Sequence, residues 1–318
     1  MSGSLLFCAF SALIGWVLAK SAASFAMSSK LRCATVQRVS YGGVTRACMP
    51  VGGVILAVAM ASFWASVGVL GKVQLAGPIL FIMGFALGCL SVSRGLLGGL
   101  LLLLSCTVPD PVGAAVGALL APVLKRQAHG ADLVPGIPGA LFAPALLGGG
   151  AFLVLVHGDQ GGLLALSAGG ALAGLQPWHR FPPRLTLGPS GVAVLAGATG
   201  LLIWQFLQHG SGLALLLLWS FVWVEAAARC WRGRAWAIPP FECARLRGEP
   251  EIGLTLASLS LSLAGVVLLW TVFRQPLAVQ IMAIVAILAL QLQFCAFLTR
   301  DGVSRPLSTE PPATSPEG

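Results

Sequence analysis

Acid is what this chain lacks most. Only ten Asp and Glu occur in 318 residues, against nineteen Lys and Arg, and charged residues of both signs make up 9% of the chain. So little charge cannot cover the surface of a water-soluble domain of this size, which excludes a soluble enzyme or a soluble binding module. The alternation of apolar and polar residues that marks the strands of a membrane barrel is also missing. The eight cysteines contain no CxxC pair and no cluster spaced with histidine, so the usual pattern of a structural zinc site is absent. Cys33, Cys48, Cys230 and Cys243 fall in expected loops, where isolated thiols are a better reading than a metal centre.

Long apolar runs are present instead, and 57% of the residues are hydrophobic. Within hydrocarbon every backbone amide must find its partner inside its own segment, so runs of about twenty apolar residues are helices. Spans are expected at 4–27, 51–71, 73–93, 95–107, 112–124, 134–156, 161–177, 189–207, 211–228, 252–273 and 277–298. The stretches 95–107 and 112–124 are short and flank VPDP, so they form either two spans or one re-entrant hairpin. The fold expected is an all-α polytopic membrane bundle of about ten or eleven helices. It forms one domain over 1–300, followed by a disordered tail over 301–318 that is rich in Pro, Ser and Thr. Among the forty glycines, Gly170 and Gly174 form a small-xxx-small pair of the kind that lets membrane helices approach closely.

Sidedness follows from charge. The opening MSG carries no Lys or Arg, whereas Lys30, Arg32, Arg38 and Arg46 follow the first apolar run. That run reads as an uncleaved span with its N-terminus outside, not as a signal peptide. Counted this way, sixteen of the nineteen basic residues lie in inner loops and the tail, Lys20 lies within the first span, and only Lys72 and Arg274 lie outside. A bacterial inner membrane, with a basic cytoplasmic face, is the expected location. Membrane lipids are the expected partners and nucleic acid is not.

Four inner segments carry more Gly, Pro and polar residues than connectors need: TRACMPVGGVILA (45–57), ADLVPGIPGALFA (131–143), PWHRFPPRLTLGPSGVAVLAG (177–197) and IPPFECARLRGEPE (238–251). In this order and spacing they resemble the polyprenyl-phosphate phospho-sugar transferases, the phospho-N-acetylmuramoyl-pentapeptide transferase type in particular. RACMPVGG is similar to that family's G-T-P-T-M-G-G and keeps Gly52 and Gly53. DLVPGIPGAL resembles N-L-T-D-G-L-D-G-L-A, with Gly136 and Gly139 kept. FPPRLTLGPSGV resembles Y-P-A-Q-V-F-M-G-D-V-G-S and keeps Pro182 and Gly188. WVEA, with Glu225, looks like V-V-E-A. The last segment resembles H-H-H-F-E-L-K-G-W-P-E, with Phe241, Glu242, Gly248, Pro250 and Glu251 in register and Arg245 and Arg247 in the same substrate loop.

The resemblance covers roughly residues 30–273 and fails where the family's chemistry resides. The histidine triplet is replaced by Ile238, Pro239 and Pro240. The two aspartates of the glycine loop are matched by Pro135 and Pro138, and the aspartate of M-G-D by Pro189. The Asp-Asp pair expected near the end of the third span falls within GFALGCLSVSRG, which has no acid. The family's reaction uses magnesium held by carboxylates, and proline supplies no such ligand. The resemblance therefore implies a non-catalytic relative of an envelope-precursor transferase, binding polyprenyl lipid such as undecaprenyl phosphate, an envelope-synthesis partner or a second copy of itself. No cofactor is expected on that reading.

A second reading keeps an active, magnesium-dependent transferase with displaced ligands, for which Asp132 and Glu242 are the candidates. A lipid transporter is the third, disfavoured because the spans hold almost no ionisable residues. Asp132 stands where the family has asparagine, and the preferred expectation is that, at the mouth of the sixth span, it caps the helix that starts there. Glu225 is expected to face the bundle and to pair with Arg229. His129 and His179 lie nearby, and His157 and His209 lie on the other side.

Overall fold

The computed structural model describes residues 2–28, 37–41, 44–48, 131–132, 134–159, 161–180, 183–221, 223–225 and 240–300. The expected spans at 51–71, 73–93, 95–107 and 112–124 lie outside the described residues, as do Gly52, Gly53, Arg229 and the tail over 301–318.

The described chain is a helical membrane bundle with one small hairpin. Helix α1 covers Ser2–Ser28, α2 Ile137–Phe152, α3 Gly162–His179, α4 Gly188–Gln208 and α5 Gly212–Leu218. They are followed by α6 at Pro240–Arg247, α7 at Glu251–Val272 and α8 at Leu277–Thr299. Helix α2 continues through a wider π turn at Leu153–His157. Four stretches are long and apolar enough to cross a bilayer: Ser4–Phe25, Ile137–His157, Glu251–Val272 and Leu277–Thr299. Large apolar side chains on α1 and α8 face outward, Leu6 being 72% exposed and Met282 64%, as a lipid-facing sheath requires.

Three elements depart from the expected pattern. Residues 37–48, expected as plain loop, form an antiparallel hairpin of β1 (Gln37–Tyr41) and β2 (Val44–Cys48) with Tyr41 opposite Val44. The ninth expected span is interrupted: α5 ends at Leu218, Trp219 leaves helical geometry at φ −115°, and helical backbone resumes at 220–221 and 223–225. The polar insert before α7 contains a short helix, α6. Proline opens it, Glu242 sits in its first turn, and Arg245 and Arg247 sit in its last, the charge order that a helix dipole favours.

Small residues set the packing. Helices α1 and α3 run parallel and touch through their backbones. A β-carbon on Gly15 would come within 2.1 Å of the Ser167 carbonyl oxygen, and one on Gly170 within 2.0 Å of that of Ala12. Further along, Gly174 faces the Trp16 carbonyl, so the pair predicted from spacing lies in the contact itself. Helix α2 packs on α3 and α7, and the Ser262 hydroxyl donates to the Leu141 carbonyl between α7 and α2 (2.9 Å). Phe152 anchors the core beside Phe206, Trp270 and Phe273, with ring centroids 5.1–5.6 Å apart.

This order places the starts of α2, α4 and α7 and the ends of α3 and α8 at one end of the bundle, with α6; this is the Asp132 end. The opposite end holds His157, His209 and the turn from α7 to α8. Among the described helices and their connections, Arg180, Arg184, Arg245, Arg247 and Arg300 lie at the Asp132 end, and Arg274 lies at the other. The basic residues sort as the charge reading expects of a single face.

Gly170→Leu forces a side chain into the α1 backbone and is expected to cost roughly 1–3 kcal/mol or more. Gly253→Ala, where a β-carbon meets nothing within 4 Å, is expected to leave stability unchanged or raise it by up to about 1 kcal/mol. Unfolding of the purified protein in mixed micelles measures both.

Candidate functional site

The loop before α2 begins as a turn dictated by its sequence. In Val134-Pro135-Gly136-Ile137, the Ile137 N–H donates to the Val134 carbonyl (3.3 Å), and Gly136 sits at φ 84°, ψ −23°. Proline then glycine at the two central positions is the signature of a type II turn, which needs positive φ at the second. The turn aims the Gly136 N–H at the Nδ1 of His179 (3.0 Å), at the end of α3, while the Gln176 side-chain amide donates to the Gly136 carbonyl (2.8 Å).

With Nδ1 accepting, the His179 ring carries its proton on Nε2 and donates it to Asp132 Oδ1 at 3.0 Å. The same oxygen accepts from the Leu187 N–H (3.1 Å), and Asp132 Oδ2 accepts from the Gly188 N–H (3.2 Å). Both side chains are deeply buried, Asp132 at 4% exposure and His179 at 5%. Asp132 therefore does not cap the span at whose mouth it was expected to; it caps a helix 55 residues away, the N-terminus of α4, whose own cap residue Leu187 offers no side-chain acceptor. Both imidazole nitrogens are engaged, so His179 has no lone pair to offer as a base.

The described parts of the four segments singled out in the sequence meet here. After α3 the chain at 183–187 lies back against the helix end, the Arg184 and Leu185 N–H groups both donating to the Trp178 carbonyl (2.9 and 3.2 Å). The Cys48 thiol, at the end of β2, donates to the Pro183 carbonyl (3.2 Å). Burial first, and then the Asp132 charge, push that thiol above the ordinary value. Glu251 Oε1, from the fourth segment, and Thr255 Oγ1, one turn further along α7, lie 3.2 and 3.1 Å from where a Gly136 β-carbon would stand. Gly139 faces the Gln176 side chain more closely still.

The other substrate-loop residues have structural partners on α6. Phe241 is buried against Phe221 and Phe294, at 5.2 and 6.2 Å between centroids. Arg247 Nη2 donates to the Phe297 carbonyl (3.0 Å) and Nη1 to the Arg300 carbonyl, which caps the end of α8, and Nε lies 3.5 Å from Glu249. Arg245 pairs with Glu242 at 3.6 Å. The Cys243 thiol is pushed up by burial, with the Arg247 charge opposing the shift. Glu225 is buried, facing the bundle.

The residues present do not fit the magnesium that the resemblance implies. Among the described residues the acids at this end are Asp132, Glu225, Glu242, Glu249 and Glu251. Among the described residues no three Asp, Glu, His or Cys side chains are placed to hold a metal. Both Asp132 oxygens already accept from protein donors, and Glu242 is paired with Arg245 on a different element.

His179 and Gln176 are the residues that sequence reading underweighted. Their signal is a Gln-Pro-Trp-His run ending an apolar helix, where polar side chains need partners. No family model matches the chain, and neither the curated proteins nor the solved structures contain a match.

Asp132→Ala strands the His179 N–H and two helix amides and is expected to cost about 3–5 kcal/mol, as for removal of one partner from a buried pair. Asp132→Asn keeps one acceptor oxygen and is expected to cost less. A second expectation concerns the Cys48 thiol as the sole cysteine. Maleimide labelling of the folded protein is slow at neutral pH and still climbs above the pH at which an ordinary thiol levels off. Asp132→Asn, which removes the neighbouring charge, speeds it at any one pH.

Proposed function

We propose that this chain is a non-catalytic membrane protein related to the polyprenyl-phosphate phospho-sugar transferases, acting in cell-envelope synthesis by binding polyprenyl lipid or a partner protein. The observation that carries this reading is the use made of Asp132. It is the one acid in the glycine loop, and hydrogen bonds to His179, Leu187 and Gly188 hold it as a structural cap.

The prolines agree with it. Pro138 lies in the first turn of α2 and a proline opens α4, two of the places where the resemblance would put catalytic aspartates. At a helix start a proline sacrifices no needed N–H and brings a preset φ, so these substitutions favour loop shape over ligand chemistry. The meeting of the described parts of the four segments at one end supports the resemblance in arrangement. The sorting of basic residues supports placing that end in the cytoplasm of a cell whose inner membrane holds the bundle.

The test gives the purified protein undecaprenyl phosphate with UDP-N-acetylmuramoyl-pentapeptide or UDP-N-acetylglucosamine, with and without magnesium. The expected outcome is no UMP release with either sugar, together with a raised unfolding midpoint when undecaprenyl phosphate is added. Magnesium-dependent UMP release that Asp132→Asn abolishes in folded protein would establish the displaced-ligand transferase instead.

A further inference from the structure

A cavity of about 370 Å³ opens at the end of the bundle opposite Asp132, between the end of α2, the start of α5, the end of α7 and the start of α8. Its lining combines apolar side chains, Phe152, Leu217, Leu269 and Phe273 among them, with His157, Ser211 and Gln280, and it falls within the size range of ligand pockets. At about 30 Å³ per small group it has room for roughly a dozen methylene-sized units. Polar groups gather at its mouth. His157 Nε2 shares a hydrogen bond with the Ser211 hydroxyl (3.1 Å), and the Gln280 amide donates to the Phe273 and Gln275 carbonyls, which leaves its Oε1 as an acceptor.

Charge at the mouth selects among occupants. The Arg274 guanidinium lies 5.1 Å from the centre of the ring of Phe273, which lines the cavity, and Arg274 forms no ion pair with any described residue. It is one of only two basic residues that the charge reading leaves in loops at this end, where cations are disfavoured. The nearby acid is already satisfied: Asp159 accepts from the Gly161 N–H (2.8 Å) and from His209 (2.9 Å).

We propose that this cavity is a structural lipid site, holding one acyl chain of an anionic phospholipid from the adjoining leaflet, with the headgroup phosphate against Arg274. An apolar wall fits the chain, a rim cation fits the phosphate, and an acceptor at Gln280 suits a hydroxylated headgroup such as glycerol. The site is remote from the Asp132 node and stands whether or not the proposed function does.

Native mass spectrometry of the full chain, from micelles containing equal phosphatidylglycerol and phosphatidylcholine, tests it. Wild type is expected to retain one phosphatidylglycerol in preference to phosphatidylcholine. Arg274→Gln, at an exposed position that leaves the fold intact, is expected to reduce that preference about five-fold, the effect of one interfacial cation. Ala214→Phe, which fills the cavity, is expected to abolish retention of either lipid. Equal retention of the two lipids by wild type, or unchanged preference in Arg274→Gln, overturns the proposal. Displacement of phosphatidylglycerol by undecaprenyl phosphate at equal concentration would assign the cavity to a polyprenyl chain and overturn it as well.

Discussion

A carboxylate buried in a membrane bundle must be surrounded by donors, and the Asp132 end of this molecule is arranged to supply them. The side chain reaches three N–H groups: the His179 ring and the Leu187 and Gly188 amides. Each donor constrains a different part of the chain. The His179 bond needs the ring to keep its proton on Nε2, which the Gly136 amide enforces by donating to Nδ1. That in turn needs a turn with positive φ at Gly136, which Pro135-Gly136 provides. Removing one donor leaves another group unsatisfied, so the loop, the end of α3 and the start of α4 are held as one unit.

What sequence reveals about such a molecule depends on whether the determining force is local. Helices α1, α7 and α8 start and stop within about two residues of the apolar runs that announce them, because a membrane span is specified by its own length and hydrophobicity. The relative sidedness of the ends was legible for the same reason: charge sorting is a property of each loop. The close approach at Gly170 and Gly174 was visible as spacing, although its partner, Gly15 on α1, was not. Helix α6 was hidden because it is polar and eight residues long, too short to show a periodic face. The break at Trp219 interrupts an apolar run without any Gly or Pro to mark it. The site was legible only in part. Asp132 as a cap follows from residue type, but its target is 55 residues distant and depends on how α3 and α4 pack.

The resemblance to phospho-sugar transferases and the hydrogen bonding address different levels of the argument. The resemblance concerns where glycine and proline recur along the chain, and these residues govern backbone shape. The bonding concerns what the remaining polar side chains do. Asp132 holds α4, Arg247 holds the end of α8, and Glu242 pairs within α6. An active phosphoryl-transfer site leaves carboxylates exposed to a metal and a substrate, and satisfying them internally removes the capacity for that chemistry. On the proposed reading, glycine and proline at the family's positions together with internally satisfied acids favour a binding role over a catalytic one.

The two ends of the bundle also differ in how well the protein fills its own space. At the Asp132 end, Asp132 and His179 are matched to protein donors and acceptors, and the loops pack over the helix termini. At the other end, four helices surround a cavity lined mainly by apolar side chains together with His157, Ser211 and Gln280. Water gains little in such a space, because each molecule needs several polar partners. Leaving it empty forfeits dispersion contacts along the whole lining. In a bilayer the material at hand is hydrocarbon, and a chain that enters without losing its headgroup's contact with water satisfies both conditions. Arg274 at the rim then has a reason to stand on a face where cations are rare, and an annular lipid becomes part of the packing of α2, α5, α7 and α8.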